Sequence, residues 1–473
     1  MLGEWWIPDL PTDPDTPYEL PDQRTSGELQ GDENGPWNLN TLGGLSQDGR
    51  VEFFGSDTPA RSHDTVWGMT DDGKCVSLFD TWRSSFTTIY ASPATGKETW
   101  SVGGYASGRC WVSKDSDISF IRIEYDVLGD WASDRVMSSH ELRVEDQSLL
   151  FPSASSYEAH IDEARIEIKS GWHLDASSDG YKATRTASIE IYDDLQIRDV
   201  IEKWVHPLRQ LLSLLSLKPA RAVGITVQLA DSEELVDLHF SLLQSDKEYD
   251  GKRGHMDMLA TRKAFAEHGV DVSQLLTNYF DLLKNGDLKM ALSYFIQSQE
   301  RTVDKSADAT FVNAFRTIEL LHTLIGGTSL PPDEYSHRVE TIIESSPDDL
   351  KEWVCRMLSN RNNKGLTRRV GEVFGLVGKL SLMVRTAWPD VDAEIVKYRS
   401  IASHGNPTQQ GSLGLRYYAY AKSLHWIARY IFLIQLGLPR AAVSRIIRKH
   451  DYFRQEIRMI REWHAEVEEN TSS

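Results

Sequence analysis

LGLRYYAYAKSLHWIARYIFLIQL, residues 413–436, carries Tyr417, Tyr420, Leu424, Ile427, Ile431 and Ile434 at spacings of three, four, three, four and three. That is the period of an α-helix with one continuous apolar stripe, which predicts a helix in a bundle core or along a dimer seam. Its most apolar part, YIFLIQLGL at 430–438, is too short to cross a bilayer, so no membrane span is expected. Helical spacing continues outward on both sides. It predicts helices over Val270–Lys284, Asp287–Gln299, Ala309–Leu324, Pro332–Glu344, Pro347–Leu358, Thr367–Thr386, Val391–Ser403 and Pro439–Glu469.

Before Asp193 the period is different. GRVEFFG (49–55), TVWGM (65–69), KCVSLFD (74–80), SFTTIYA (85–91), ISFIRIEYD (118–126), ARIEIKS (164–170) and SIEIYD (188–193) are short segments separated by turn residues. In ISFIRIEYD, Ile121, Ile123 and Tyr125 alternate with Arg122 and Glu124, the period-two pattern of a half-buried strand. Asp71-Asp72-Gly73 between two such segments predicts a hairpin, since Gly73 can take the positive φ of a tight turn. A helical stretch interrupted by Pro207 and two more strands, AVGITVQLA and LVDLHFSLL, follow. The fold class is therefore α+β: a β-rich sandwich or open barrel over residues 1–250, then an all-α bundle over 251–473, with the polar stretch Ser245–Asp257 as the boundary.

A chain of 473 residues with 40% hydrophobic and 26% charged residues is an ordinary globular protein with length for two or three domains. Its 51 basic and 70 acidic residues give a formal charge of −19, which excludes bulk electrostatic affinity for nucleic acid. Any such contact must be local. The charge is uneven: from Arg301 onward there are 24 basic and 20 acidic residues, leaving 27 and 50 for the first 300. Cys75, Cys110 and Cys355 are too few and too scattered for a disulfide framework or a zinc cluster, and neither a metal-ligand motif nor a P-loop occurs. No metal or nucleotide cofactor is expected. The first twenty residues lack the basic and apolar regions of a secretion signal, so the cytoplasm is the expected compartment.

KYRSIASHGNP, residues 397–407, holds the chemistry. Arg399 precedes His404 by five residues, and on a straight helix those positions point about 140° apart. Gly405-Asn406-Pro407 predicts an abrupt helix stop that leaves His404 at a fraying end, free to reach Arg399 or the same pair in a second copy. A guanidinium and an imidazole suffice for metal-free RNA cleavage. The imidazole moves a proton to or from a ribose oxygen, and the guanidinium grips the crowded phosphate with two hydrogen bonds. One His does not easily perform both proton transfers, so a dimer partner would supply the other. By spacing alone such a pair is more often a surface Arg and a helix-ending His.

Other candidates are weaker. Arg361, Lys364, Arg368 and Arg369 in RNNKGLTRR form a basic cluster that could bind RNA or be a solvated helix start. Arg440, Arg445, Arg448, Lys449, Arg454, Arg458 and Arg461 make the last predicted helix basic. Trp5, Trp6, Trp37, Trp67, Trp82, Trp100, Trp111 and Trp131 fit sheet and core positions better than a stacking platform for sugars or bases. His63-Asp64 has no companion metal ligands and reads as an exposed loop.

Arg399 and His404 resemble the R-x(4–6)-H motif of HEPN domains, helical bundles that dimerise and often act as metal-independent ribonucleases. FVNAFRTIELLHTLIGG (311–327), with Glu319 and His322 in an E-x-x-H arrangement, resembles the earlier bundle helix of the ApeA-like subgroup. GEWWIPD (3–9), SGEL (26–29) and TVWGMTDDGKCVSLFD (65–80) resemble the β-rich ApeA N-terminal domain of antiphage-defence proteins.

The resemblance implies a sensor or regulatory half that responds to a phage-derived activator, and a homodimeric or higher-order HEPN ribonuclease. Such an enzyme would cut RNA, with tRNA the candidate target, to a 2′,3′-cyclic phosphate and halt translation on infection. Arg399 would stabilise the phosphate and His404 transfer protons, with Lys397, Ser400 and Glu319 in support. Many HEPN ribonucleases carry Asn, Asp or His where this chain has Ser400, a shorter hydrogen-bonding side chain. Two rival readings are a catalytically silent HEPN that dimerises or binds RNA, and a carbohydrate-binding β-module on a helical scaffold.

Overall fold

The structure, a computed structural model, describes residues 1–8, 24–31, 36–45, 62–89, 95–132, 144–145, 148–149, 155–177, 180–240, 258–299, 306–325, 329–358, 362, 364–404 and 410–472. The chain divides into two units: Met1–Leu212 with Ala220–His255, and Ser213–Pro219 with Met256–Ser473.

The first unit is built from antiparallel strands: β1 (Leu2–Trp6), β2 (Thr25–Gln30), β3 (Trp37–Leu42), β4 (Ser62–Thr70), β5 (Cys75–Ile89), β6 (Thr95–Gly108) and β7 (Asp117–Tyr125). A short helix α1 (Leu128–Ala132) and a separate two-residue ladder of β8 (Val144–Glu145) with β9 (Ser148–Leu149) come next. Then follow β10 (Ser155–Ile161), β11 (Ala164–Ser177), β12 (Gly180–Gln196), helix α2 (His206–Leu215), β13 (Ala222–Leu229) and β14 (Leu235–Phe240).

Strands pair in the order β6-β3-β2-β1-β4-β5, and β5 returns to β6, so these six close into a barrel. Closure removes the exposed strand edges that an open sheet would leave. From β6 the same sheet continues outward as β14-β13-β7-β12-β11-β10. The Asp71-Asp72-Gly73 turn joins β4 to β5 with Gly73 at φ 82°, as the hairpin signal predicts. The barrel interior holds Trp5, Trp37, Leu39, Val66, Leu78 and Trp100, all buried. Glu98 is buried with them, and its carboxylate accepts from the Trp100 indole at 3.1 Å, the Leu45 amide at 3.1 Å and Arg83 at 3.3 Å. Both carboxylate oxygens of this buried residue thus have donors.

In β7, Ile121, Ile123 and Tyr125 are buried, whereas Glu124 is exposed and Arg122 pairs at 3.0 Å with Glu190, its cross-strand partner. The predicted alternation is the observed one. Pro207 is the second residue of α2, and a 3-10 turn (Ile197–Asp199) and a π-turn (Ile201–Val205) lead into that helix. His63-Asp64, read from sequence as a loop, lies within β4. GRVEFFG (49–55) lies outside the described residues.

The second unit contains α3 (Arg262–Ala266), α4 (Val272–Lys284), α5 (Gly286–Gln299), α6 (Ala307–Leu321), α7 (Pro332–Ser345), α8 (Lys351–Leu358), α9 (Leu366–Leu376), α10 (Lys379–Ala387), α11 (Val391–His404), α12 (Gln410–Gln435), α13 (Arg440–Lys449) and α14 (Asp451–Ser472). Helix α12 is central and packs against α4, α5, α6, α10, α13 and α14. The stripe predicted for it is core, but burial is wider than one stripe, since every residue from Ser423 to Leu433 is buried. Its polar side chains find partners inside. His425 meets Ser298 Oγ at 2.7 Å, and Arg429 donates to the Ser216 carbonyl at 3.0 Å. Burial holds His425 well below the usual imidazole range, so it stays neutral.

Two predicted helices are each divided. Thr367–Thr386 breaks at Gly378, whose φ of 51° suits a residue without a Cβ, letting Phe374 and Leu380 both reach the core. Pro439–Glu469 breaks at His450, whose Nδ1 accepts from the Tyr452 amide at 3.2 Å and so caps α14. No Gly or Pro marks that break in the sequence.

Candidate active site

Helices α6, α9 and α11 pack against one another in pairs. Each brings an apolar face inward: Phe315 and Ile318 from α6, Val370 and Phe374 from α9, and Ile395 from α11 are all buried. At the rim of these faces charged side chains from all three helices meet.

Glu319 of α6 stands between two guanidinium groups. Its Oε1 lies 3.5 Å from Arg369 Nη2 on α9, and its Oε2 lies 3.9 Å from Arg399 Nη2 on α11. Both contacts are longer than the tight charge-assisted hydrogen bond of about 2.7–2.9 Å, so the carboxylate attracts both cations without locking either. The Arg399 guanidinium sits 5.8 Å from the centroid of the buried Phe315 ring, and its side chain is 39% exposed.

At the C-cap of α6, His322 is buried, and its Nε2 lies 2.8 Å from Glu372 Oε2 on α9. Glu372 also accepts from Lys364 at 2.8 Å and from Arg368 at 3.1 Å. The Lys364 ammonium, then the His322 and Arg368 hydrogen bonds, hold its carboxyl down at about 2. Of the four basic candidates in RNNKGLTRR, Lys364 and Arg368 thus serve Glu372, Arg369 faces Glu319, and Arg361 lies outside the described residues.

A second polar network fixes α11 on α12. The Glu394 carboxylate accepts from the Trp388 indole at 3.1 Å, from Arg416 at 2.9 Å and from the Tyr420 hydroxyl. Burial, then the adjacent Glu394 charge, pushes the Tyr420 hydroxyl up, so it remains a donor. Arg416 lies 5.1 Å from the Tyr398 ring centroid, beside the motif arginine.

Lys397 and Ser400 are exposed on α11. Helix α11 runs one residue beyond the predicted end and includes His404, so Arg399 and His404 stand on one unbroken helix. The His404 side chain and Gly405-Asn406-Pro407 lie outside the described residues. Neither Glu372 nor Glu394 is singled out by the motifs. The signal for Glu372 is its i,i+4 spacing from Arg368, and Glu394 has none beyond its place in the first turn of α11.

Most of the tryptophans belong to the β-rich unit's packing, whereas Trp82 on β5 is exposed, against the expectation of a core position. Trp5, Trp37, Trp100 and Trp131 are buried, and the Trp67 and Trp111 indoles donate to the Val112 and Gly68 carbonyls. Among the described residues, no group of three His, Cys, Asp or Glu side chains could hold a metal ion, and no helix is long and apolar enough to cross a membrane.

Residues 1–273 match the ApeA N-terminal domain 1, and residues 312–442, which include most of α6 and all of α9 and α11, match the Apea-like HEPN domain. No curated protein and no solved structure matches the chain. With the β-rich barrel unit inside the first match, and Glu319, Glu372 and Arg399 inside the second, the chain belongs to the ApeA family: an ApeA N-terminal domain followed by an Apea-like HEPN domain.

Proposed function

We propose that this chain is an antiphage-defence endoribonuclease whose HEPN domain cuts RNA without a metal ion. Family membership supports a defence protein with a HEPN nuclease domain. The observation that carries the finer reading is the rim of α6, α9 and α11. There the motif arginine, Arg399, is half-exposed over Phe315, with a second guanidinium, Arg369, across one carboxylate. Two guanidinium groups at one solvent-facing point form a phosphate-binding arrangement in a chain that is otherwise strongly acidic.

In this reading Arg399 grips the scissile phosphate and stabilises its extra charge in the transition state. His404 transfers a proton at the 2′-hydroxyl or the 5′-oxygen. Positions 399 and 404 face about 140° apart on one straight helix, which favours a cleft that two copies build together. Each copy of His404 would then take one of the two proton transfers. Lys397 and Ser400, exposed on the same helix, would contact RNA nearby. The product is a 2′,3′-cyclic phosphate, tRNA is the proposed target in the cytoplasm, and arrest of translation the consequence. The N-terminal domain would restrain the nuclease until a phage-derived activator binds.

The test is incubation of purified full-length protein with RNA in EDTA, followed by end-group analysis. Cyclic phosphate ends that vanish in both Arg399→Ala and His404→Ala, with far-UV circular dichroism unchanged, are the expected result. Undiminished cutting by both variants overturns the assignment, and RNA binding without turnover by the wild type replaces it with a silent HEPN.

A further inference from the structure

The basic residues around the motif helix are not equivalent. Lys364 and Arg368 are both spent on Glu372, at 2.8 and 3.1 Å. Arg369, the next residue, points the other way, and its Nη2 reaches the Glu319 carboxylate that Arg399 shares. Arg369 is also under-used: its Nε is buried and has no hydrogen-bond partner among the described residues. A guanidinium carries five donors in a fixed fork, and a buried unspent donor is a standing cost that a ligand oxygen would relieve.

Glu319 shows what shape of ligand fits. One carboxylate bridges the two guanidinium groups, one oxygen to each, at separations too long for tight hydrogen bonds. A phosphodiester presents two non-bridging oxygens in a comparable bridging geometry, set slightly farther apart than a carboxylate's and carrying the same single negative charge. The geometry points to Arg369 as a second phosphate-binding residue of this site, and to Glu319 as the internal carboxylate that occupies the Arg369–Arg399 pair until an RNA phosphate displaces it. This rests on the reading of the α6–α9–α11 rim as an RNA-phosphate site. It adds a residue outside the R-x(4–6)-H motif, and it makes Glu319 a competitor of substrate rather than a helper.

The roles separate in a binding experiment that needs no catalysis. The probe is a mixed-sequence oligoribonucleotide with 2′-O-methyl groups throughout, which has no 2′-hydroxyl to attack. It is titrated against full-length protein across a series of salt concentrations. Arg369→Ala is expected to weaken binding about tenfold and to lower the slope of log affinity against log salt by about one. Arg369→Lys, which keeps the charge but not the fork, retains the slope and loses less affinity. Glu319→Gln removes the competing charge and tightens binding severalfold. Arg338→Ala, which deletes an arginine from α7, leaves affinity and slope as in the wild type.

Wild-type affinity and slope in Arg369→Ala, with thermal melting showing that the variant is folded, overturns the proposal, as does weaker binding by Glu319→Gln. So does a wild type that binds no oligonucleotide. An Arg369 effect on binding in a protein that cleaves no RNA keeps this proposal and sinks the ribonuclease reading. Cleavage with unchanged Arg369→Ala binding does the reverse.

Discussion

His322, at the C-cap of α6, and Glu372 of α9 meet with Nε2 2.8 Å from Oε2, although they are fifty residues apart in the chain. His322 is buried and Glu372 stands at the rim, so the contact ties the interior of one helix to the surface of another. Its consequence reaches beyond the pair. Because Glu372 also collects Lys364 and Arg368, the helix carrying Arg369 is held in one rotation, with Arg369 turned to Glu319 and Arg399. The E-x-x-H arrangement of α6 is thereby divided: Glu319 faces the arginines, and His322 anchors the helix that presents one of them.

The first prediction concerns acid. The Glu372 carboxyl is held at about 2, below its ordinary 4.5, by Lys364, His322 and Arg368. A depressed carboxyl stabilises the fold fully above its unfolded value, and that stabilisation is lost as pH falls from about 4.5 toward 2. Glu372→Gln is expected to melt below the wild type at neutral pH, with the difference shrinking across that acid window. Thermal melts followed by circular dichroism over a pH series read this directly, and a gap that persists unchanged to the acid end would count against it.

A shared cleft makes a mixing experiment decisive. When wild-type and His404→Ala chains are co-expressed in equal amounts, half of the dimers are mixed and hold one of the two imidazoles that the shared cleft needs. Activity should fall to about a quarter of an all-wild-type preparation, the share of dimers with both imidazoles in a two-fold symmetric assembly. A fall to only about half places a complete site within each chain.

In the barrel, Gly68 on β4 faces Trp5 on β1. A Cβ at position 68 would fall 2.2 Å from the Trp5 ring, and that ring is fully buried. Gly68→Ala therefore forces the indole or the β1–β4 ladder to move, at a cost of about 2–3 kcal/mol. Chemical denaturation of the β-rich unit, followed by tryptophan fluorescence, should show the loss. Unaltered stability would mean that the barrel wall is looser than its packing implies.

In the helical unit, Glu456 on α14 is 6% exposed and accepts from the Trp426 indole and the Lys422 ammonium, each at 2.7 Å. Glu456→Ala strands both donors and is expected to destabilise the helical unit by about 2–4 kcal/mol. Glu456→Gln keeps an acceptor for the indole and should lose about 1 kcal/mol. Urea unfolding of the two variants ranks them, and equal stabilities would refute the buried-pair account.

Much of this was legible beforehand because it is local. The alternation of Ile121, Ile123 and Tyr125, the Asp-Asp-Gly turn and the α12 stripe each follow from periods of two or 3.6 residues. The helix breaks at Gly378 and His450 were not read. Their neighbours continue the helical period, and only the packing of Phe374 against the core and the His450 cap separates the segments. Arg399 and Glu319 were legible as candidates, but Glu372 was not, since an acidic residue four after an arginine on a helix is ordinarily a surface pair.

The amino-acid order by itself determined the division into a β-rich and a helical half, the polarity of each face, and the presence of an arginine–histidine motif near a helix end. Those properties depend on residues within a turn or two of one another. Only the tertiary structure decided that the barrel closes from β5 to β6, and which cation pairs with which carboxylate. Lys364, Arg368 and Arg369 carry the same charge within six positions. The rotation of α9 against α6 and α11, set by the buried apolar faces of all three, gives two of them to Glu372 and leaves the third beside Arg399.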